Sequence, residues 1–345
     1  MNAVESSRRE LQSRLFPGGI PSLWCPMLTH FQSARVPDAE RIWRHLRDLA
    51  PHVRGILVPG STGEGWEMSD ADVRTLLDIV LAAAPEAGMR VLIGILKTET
   101  EAVLSCLASM RDLLSHPAVA GITVCPPKGH HLTQPQIADA LRRVLGHRLP
   151  TALYQLPQVT ENEMCPETVA TLATEYGNFM LFKDTSGTDR VAFSGLDLGG
   201  VFMVRGAEQG GYARWPRVSG GPYDGFLLST ANVFAPELSA MLRLLGQGKV
   251  ARAKSLSRQL EAVVTEAFAV VADFPVGNAF ANANKLLDHL RAYGEQTMDQ
   301  PPPMLYSGVR LPAAAVEKAR AVLARHRMLP AKGYLGPAQP SSSDP

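Results

Sequence analysis

Lys183 closes the apolar run Phe179-Met180-Leu181-Phe182 and precedes Asp-Thr-Ser-Gly, so it ends a strand-like segment with its stem against a hydrophobic interior. An ammonium is costly to desolvate there. Its pKa falls from about 10.4 toward neutrality, which leaves an amine able to attack a carbonyl. The same position also suits a structural lysine whose methylenes cover apolar surface while the head reaches water. Tyr154 ends the run Pro150–Gln155, and its phenol, one strand over, could move protons for the amine. Alone it reads better as an amphipathic strand residue with its hydroxyl at a rim. A third feature is Gly60-Ser61-Thr62-Gly63-Glu64, two hydroxyls and backbone N–H groups in a glycine-flanked turn entering a helix. That arrangement binds a carboxylate; its plain alternative is a turn with a helix cap. Glu64 fits capping or buttressing better than catalysis.

Other reactive types lack partners. Cys25, Cys106, Cys125 and Cys165 form no C-x-x-C pair, which argues against a zinc site or disulfide framework and suits a reducing cytosol. Cys25 and Cys125 end strands and read as small buried hydrophobes. His130 and His131 are a loop pair without further ligands, so no metal is expected. The chain of 345 residues carries 34 Lys+Arg against 33 Asp+Glu, with no basic block, so neither nucleic acid nor a membrane surface is an expected partner. No apolar stretch is long enough for a signal peptide or a membrane span. The expected ligand is small and the expected compartment cytoplasmic.

These residues need elements to carry them. Apolar, β-rich runs recur at 20–25, 54–58, 90–95, 119–125, 150–155, 179–183, 200–205 and 224–229, without clean alternation, as in parallel strands covered on both faces. Amphipathic segments lie between them at 69–84, 100–114 and 134–145, the first opened by Ser69 and Asp72 in a capping-box pattern. Eight strands alternating with helices predict a (β/α)8 TIM barrel; a doubly wound sheet is the competitor, and no G-x-G-x-x-G follows the first strand. The candidate groups all fall at strand C-terminal ends, where such barrels build their sites. The expected organisation is an N-terminal helical extension over 1–18 and the barrel over 19–235. A C-terminal helical subdomain over 236–330 follows, with helices at 236–247, 249–272 and 275–293, then a disordered Pro/Gly/Ser-rich tail over 331–345.

With its motifs in order, the chain resembles the dihydrodipicolinate synthase / N-acetylneuraminate lyase family of Schiff-base (class I) aldolases from about residue 19 to 293. GSTGE is similar to the family's carboxylate-binding motif, in its lyase-branch form. Tyr154-Gln155-Leu156-Pro157 is similar to Y-N-x-P, Phe182–Gly187 to the Schiff-base segment, and Asp224–Asn232 to the eighth-strand segment. The resemblance implies a homotetramer without metal or organic cofactor acting on pyruvate or a related 2-oxo acid. Ser61, Thr62 and Gly63 would hold the substrate carboxylate, Lys183 would attack the ketone and Tyr154 would shuttle protons. Thr185, Gly206, Glu208, Gln209 and Ser229 stand where the lyase holds a polyhydroxylated chain, with Glu208 and Gln209 replacing Asp and Glu, and with Leu228 bulkier than usual. Two departures argue against a true dihydrodipicolinate synthase. Val159 replaces the arginine that grips the second substrate's carboxylate, and the strand-4 loop reads PPKGHH, with Lys128 near the place of a relay tyrosine. The expected function is a lyase, aldolase or dehydratase, on 2-oxo-3-deoxy sugar acids. The alternative is a silent family member serving as a ligand-binding or regulatory protein, which would have lost Lys183 or Tyr154.

Overall fold

A computed structural model describes residues 2–335. Eight parallel strands close on themselves in chain order: β1 (Leu23–Pro26), β2 (Gly55–Val58), β3 (Arg90–Ile95), β4 (Val119–Val124), β5 (Thr151–Gln155), β6 (Phe179–Asp184), β7 (Phe202–Arg205) and β8 (Gly225–Leu227). The fold is a (β/α)8 TIM barrel with a C-terminal helical part.

The strands are apolar on both faces because each face has its own core. Ile56, Ile93, Ile122, Leu153 and Phe182 point outward beneath the helices. Trp24, Leu57, Leu92, Ala120, Ala152, Leu181, Val204 and Leu227, one from each strand, form a separate cluster inside the barrel. Phe16 seals this layer from below, edge-on to Trp24 with ring centroids 5.7 Å apart. Side chains alternate along a strand. The next inward positions above Ala152 and Leu181 are therefore Tyr154 and Lys183, which are direct partners in the β5–β6 register. The plug closes the lower barrel and leaves these two at the upper end.

Helix α1 (Ala3–Leu15), the expected N-terminal extension, crosses the base at β6. Its buried Arg8 donates to the carbonyls of Phe179 (2.7 Å) and Tyr176 (3.0 Å), and Gln12 to those of Met180 and Gly200. Around the barrel run α2 (Ala39–Leu49), α3 (Asp70–Ala83), α4 (Thr100–Ser109), α5 (Gln134–Leu145), the single turn α6 (Pro157–Thr160) and α7 (Pro166–Glu175). The Ser69–Asp72 capping box opens α3 as its sequence predicts. Among the described residues no α-helix joins β6 to β7 or β7 to β8. Irregular chain there is held by the buried Arg205–Asp189 ion pair (2.9 Å), with the guanidinium 3.7 Å from the Trp215 ring centroid.

Two boundaries differ from the sequence expectation. The helix expected from 236 begins at Ala231: α8 (Ala231–Gly246) packs on β1 and covers the barrel, tied there by Asn232, which accepts from the Leu28 N–H and donates to the Pro26 carbonyl. Among the described residues the α-helices beyond it are α9 (Val250–Ala269), α10 (Ala279–Tyr293) and α11 (Ala313–Arg325). The tail expected to be unstructured from 331 is placed as far as Leu335, because the Tyr334 hydroxyl donates to buried Asp288 (3.0 Å) and accepts from Arg41 (3.3 Å). Residues 336–345 of that tail lie outside the described residues. No described helix is long and apolar enough to cross a membrane.

Trp24 fits because β2 begins with a glycine, and a Cβ on Gly55 would fall on the indole ring. Gly55→Ala is therefore expected to cost about 1–3 kcal/mol through overpacking of a closed interior. A urea melt showing no loss would mean the plug layer is softer than its packing implies.

Candidate active site

Lys183 is 4% exposed at the end of β6. Burial lowers its pKa to about 7, partly opposed by the Glu208 carboxylate, while burial pushes the neighbouring Cys125 and Cys25 thiols up so that they stay protonated. Its Nζ lies 3.9 Å from the centroid of the Tyr154 ring. An aromatic face stabilises the cation somewhat, yet desolvation dominates. The result is an amine that is substantially neutral near physiological pH.

The groups around this amine are fitted to it. Gly206, just past β7, has no side chain for a steric reason: a Cβ there would sit 2.9 Å from Lys183 Cε and closer still to Thr185 Oγ1. Thr185 donates its backbone N–H to the Gln155 carbonyl (3.0 Å), while its buried hydroxyl has no hydrogen-bond partner. Burial pushes the Tyr154 phenol well above its ordinary value, and the hydroxyls of Ser61 and Thr185 beside it pull the other way. Lys183, Tyr154, Thr185, Gly206 and Ser61 thus come together. Trp66 and Val159 pack against the apolar cluster of Cys125, Tyr154 and Leu156, so Val159 presents no charge at this edge.

The β2–α3 turn is shaped by its own backbone. Gly60 carbonyl accepts from the N–H groups of Gly63 (3.1 Å) and Gly65 (3.0 Å), and a Cβ on Gly63 would lie 2.6 Å from the Met27 carbonyl. Thr62 is buried, and the Ser61 hydroxyl accepts from the Trp66 indole N–H at 2.8 Å. The turn does not enter a helix directly, since α3 begins only at Asp70. Helix-dipole assistance, which fades within the first turn, is therefore removed from its anion-binding case; the hydroxyls and turn N–H groups remain. Glu64 buttresses: its carboxylate meets buried Lys285 of α10 and accepts from the Tyr306 N–H (2.9 Å).

Glu208 and Ser229 meet each other. The carboxylate accepts from Ser229 Oγ (2.6 Å), the Thr230 N–H (3.0 Å), Thr230 Oγ1 (2.8 Å) and the Tyr212 hydroxyl (3.2 Å), while Ser229 Oγ also accepts from Asn284. Its acceptor positions are largely taken. Gln209 is exposed, and its carbonyl accepts from Arg205. Lys128 stands apart, 47% exposed and paired with Glu161 at 3.1 Å. Sequence reasoning missed Trp66, Tyr212, Thr230, Asn284 and Lys285. Trp66 lies two residues past the GSTGE motif and Thr230 within the eighth-strand segment, whereas the others carry no local signal. The described His/Cys/Asp/Glu group with metal-compatible spacing is His30, His45 and Asp288. Its atoms are already committed: His30 Nε2 to His45 Nδ1 (2.9 Å), His45 Nε2 to the Asn232 carbonyl (3.2 Å), and Asp288 to Arg41 (2.7 Å). That set reads as a clamp between α2 and α10.

Residues 25–285 match the sequence model of the dihydrodipicolinate synthetase family. The chain belongs to that family. It is 29% identical over 258 residues to 4-hydroxy-tetrahydrodipicolinate synthase of Parasynechococcus marenigrum, covering 72% of this chain and 81% of that one. It is 26% identical over 253 residues to N-acetylneuraminate lyase of Citrobacter koseri, covering 69% and 78%. A prophage protein of the dihydrodipicolinic acid synthase family from E. coli K12, crystallised with pyruvate, superposes with a TM-score of 0.70 at 18% identity, covering 89% of this chain and 98% of that one. Relatives within the family thus include both a synthase and a lyase.

For this family member the lowered lysine pKa has a direct readout. Burial disfavours the cation, so the neutral amine accumulates as pH rises through about 7. Cyanoborohydride trapping with pyruvate should climb between pH 6 and 8 and then level. A rate still rising toward about pH 10, where an ordinary lysine titrates, would refute a desolvated amine.

Proposed function

We propose that this protein is a class I lyase that holds a 2-oxo acid as an imine on Lys183. The supporting observation is the buried amine 3.9 Å from the Tyr154 ring at the upper end of the barrel. Neutral Lys183 attacks C2 of the substrate, the carbinolamine loses water with Tyr154 passing the proton, and the protonated imine becomes an electron sink. In aldol cleavage Tyr154 takes the proton of a C4 hydroxyl, the C3–C4 bond breaks, and its electron pair becomes the enamine. In dehydration a C3 proton leaves and the hydroxyl on C4 departs as water. Both routes use the same imine. Ser61, Thr62 and Gly63 hold the carboxylate, and the assembly is a cytoplasmic homotetramer.

The proposed substrates are 2-oxo-3-deoxy sugar acids. Thr185 supports this, because its buried hydroxyl is beside the lysine and unpartnered, ready for a substrate hydroxyl. Val159 supports the companion reading that aspartate semialdehyde is a poor partner, since a buried carboxylate beside an apolar side chain has no donor. Glu208 and Ser229 act on the far chain only by exchanging their present hydrogen bonds, and Lys128 meets a distal acid only by leaving Glu161.

Borohydride with pyruvate should add the reduced ligand's mass at Lys183, and Lys183→Ala should abolish it; undiminished trapping in that variant would remove the lysine from the mechanism. Thr185→Val should lower kcat/KM on a sugar acid by roughly tenfold, the scale of one hydrogen bond lost beside a reacting centre, while leaving pyruvate trapping intact. Efficient condensation of pyruvate with aspartate semialdehyde would overturn the substrate reading alone.

A further inference from the structure

We propose that the cavity between residues 30–41, the end of α10 and the 301–304 loop is a binding site for a small hydroxycarboxylate, separate from Lys183 and independent of the imine reading. Its volume is about 160 Å³, and its wall includes Asp38, Arg41, His289, Tyr293 and Arg310 but none of Lys183, Tyr154 or Ser61. A cavity of about 150 Å³ admits benzene, so a ligand of roughly six heavy atoms fits.

One part of the wall donates. Arg41 gives one hydrogen bond from each nitrogen: Nε to the Tyr334 hydroxyl (3.3 Å), Nη1 to the Tyr293 hydroxyl (3.1 Å) and Nη2 to Asp288 (2.7 Å). Each terminal nitrogen of a guanidinium carries two N–H groups, so Nη1 and Nη2 each keep one to give. Tyr293 accepts from Arg41 and keeps its own proton free to donate. Arg310 has no carboxylate partner among the described residues, and its Nη1 bond to the Pro302 carbonyl (2.6 Å) ties it to the loop that walls the cavity. These are the groups that hold a carboxylate.

Another part accepts. His289 is 2% exposed, and its Nε2 has no hydrogen-bond partner among the described residues. Burial and the guanidiniums of Arg41 and Arg310 lower its pKa to about 4, against the pull of Asp288 and the Thr297 carbonyl. The imidazole is therefore neutral at pH 7. Its proton belongs on the nitrogen that bonds the Thr297 carbonyl, which leaves Nε2 with a lone pair. A buried acceptor without a donor costs free energy, and a ligand hydroxyl removes that cost. Asp38 spends one oxygen on the Arg41 N–H (3.0 Å) as the cap of α2. Its charge opposes a second negative charge in the cavity and so favours a monoanion. Carboxylate donors and a hydroxyl acceptor in one small space define the ligand class.

The test is a ligand-observed NMR titration of the full-length protein with lactate, which has no ketone and cannot form an imine. Saturable binding is expected, and it should be unchanged in Lys183→Ala and in Ser61→Ala. Arg310→Ala and His289→Phe should each weaken it about tenfold, the scale of one hydrogen bond to a charged or buried group. Propionate, which lacks the hydroxyl, should bind about fivefold more weakly than lactate. The proposal is overturned by absence of saturation, or by loss of binding in Lys183→Ala or Ser61→Ala, which would put lactate at the barrel mouth. Full affinity in Arg310→Ala or His289→Phe, or equal affinity for propionate, would overturn it as well. Should His289→Phe fail to fold by circular dichroism, Arg310→Ala decides together with the propionate comparison, because Arg310 is exposed.

Discussion

An ammonium group keeps its charge only where water or a counter-charge supports it, and the barrel interior removes the water from Lys183. Little is supplied in exchange: an aromatic face at 3.9 Å and the partial influence of Glu208, whose carboxylate is spent on Ser229, Thr230 and Tyr212. A stronger acid aimed at the amine would restore the charge and remove the neutral form that the proposed imine requires. Much of the architecture serves to keep that balance. The Trp24 layer closes the barrel below the lysine, Gly206 makes room for its stem, and the alternation of β5 and β6 sets Tyr154 beside it.

The surrounding charges are handled by pairing them away from the amine. Glu64 is neutralised by Lys285, Asp189 by Arg205 and Asp288 by the partly exposed Arg41; all three carboxylates are buried and lie outside the Lys183–Tyr154 pair. A buried charge without a partner would be strongly destabilising. With partners these groups instead fix the loops: Glu64 anchors the β2–α3 turn to α10, and Asp189 stiffens the helix-free stretch after β6. The proposed site is thus built on strands and held by loops whose own polar groups are satisfied.

Much of this was legible in sequence. Each strand appeared as an apolar run because parallel strands are covered on both faces, and Lys183 stood out because a charged residue at the end of such a run has few uses. The motif order placed Tyr154, Ser61 and Thr62 on the correct strand ends. Less legible were the endings of the chain. Tyr334 lies in a Pro/Gly/Ser-rich segment that reads as loose, yet one hydroxyl reaching Asp288 holds it. Residue 236 looked like a new domain because helices follow, but α8 is the barrel's own, identified only by its packing on β1.

Local pattern by itself determined the barrel, the strand ends and the candidate nucleophile, since alternation, apolar runs and motif spacing are properties of neighbouring residues. Occupancy of side chains was decided only by the tertiary structure. Glu208 and Ser229 read as free groups in sequence and are bonded to each other across 21 positions; Lys128 reads as a candidate cation and is paired with Glu161; Trp66 lies just past the GSTGE motif, and only the structure shows that its indole N–H donates to Ser61. Hydrogen-bonding capacity is set by residue type, but which partner fills it depends on distances between segments far apart in the chain, and those exist only once the barrel has closed.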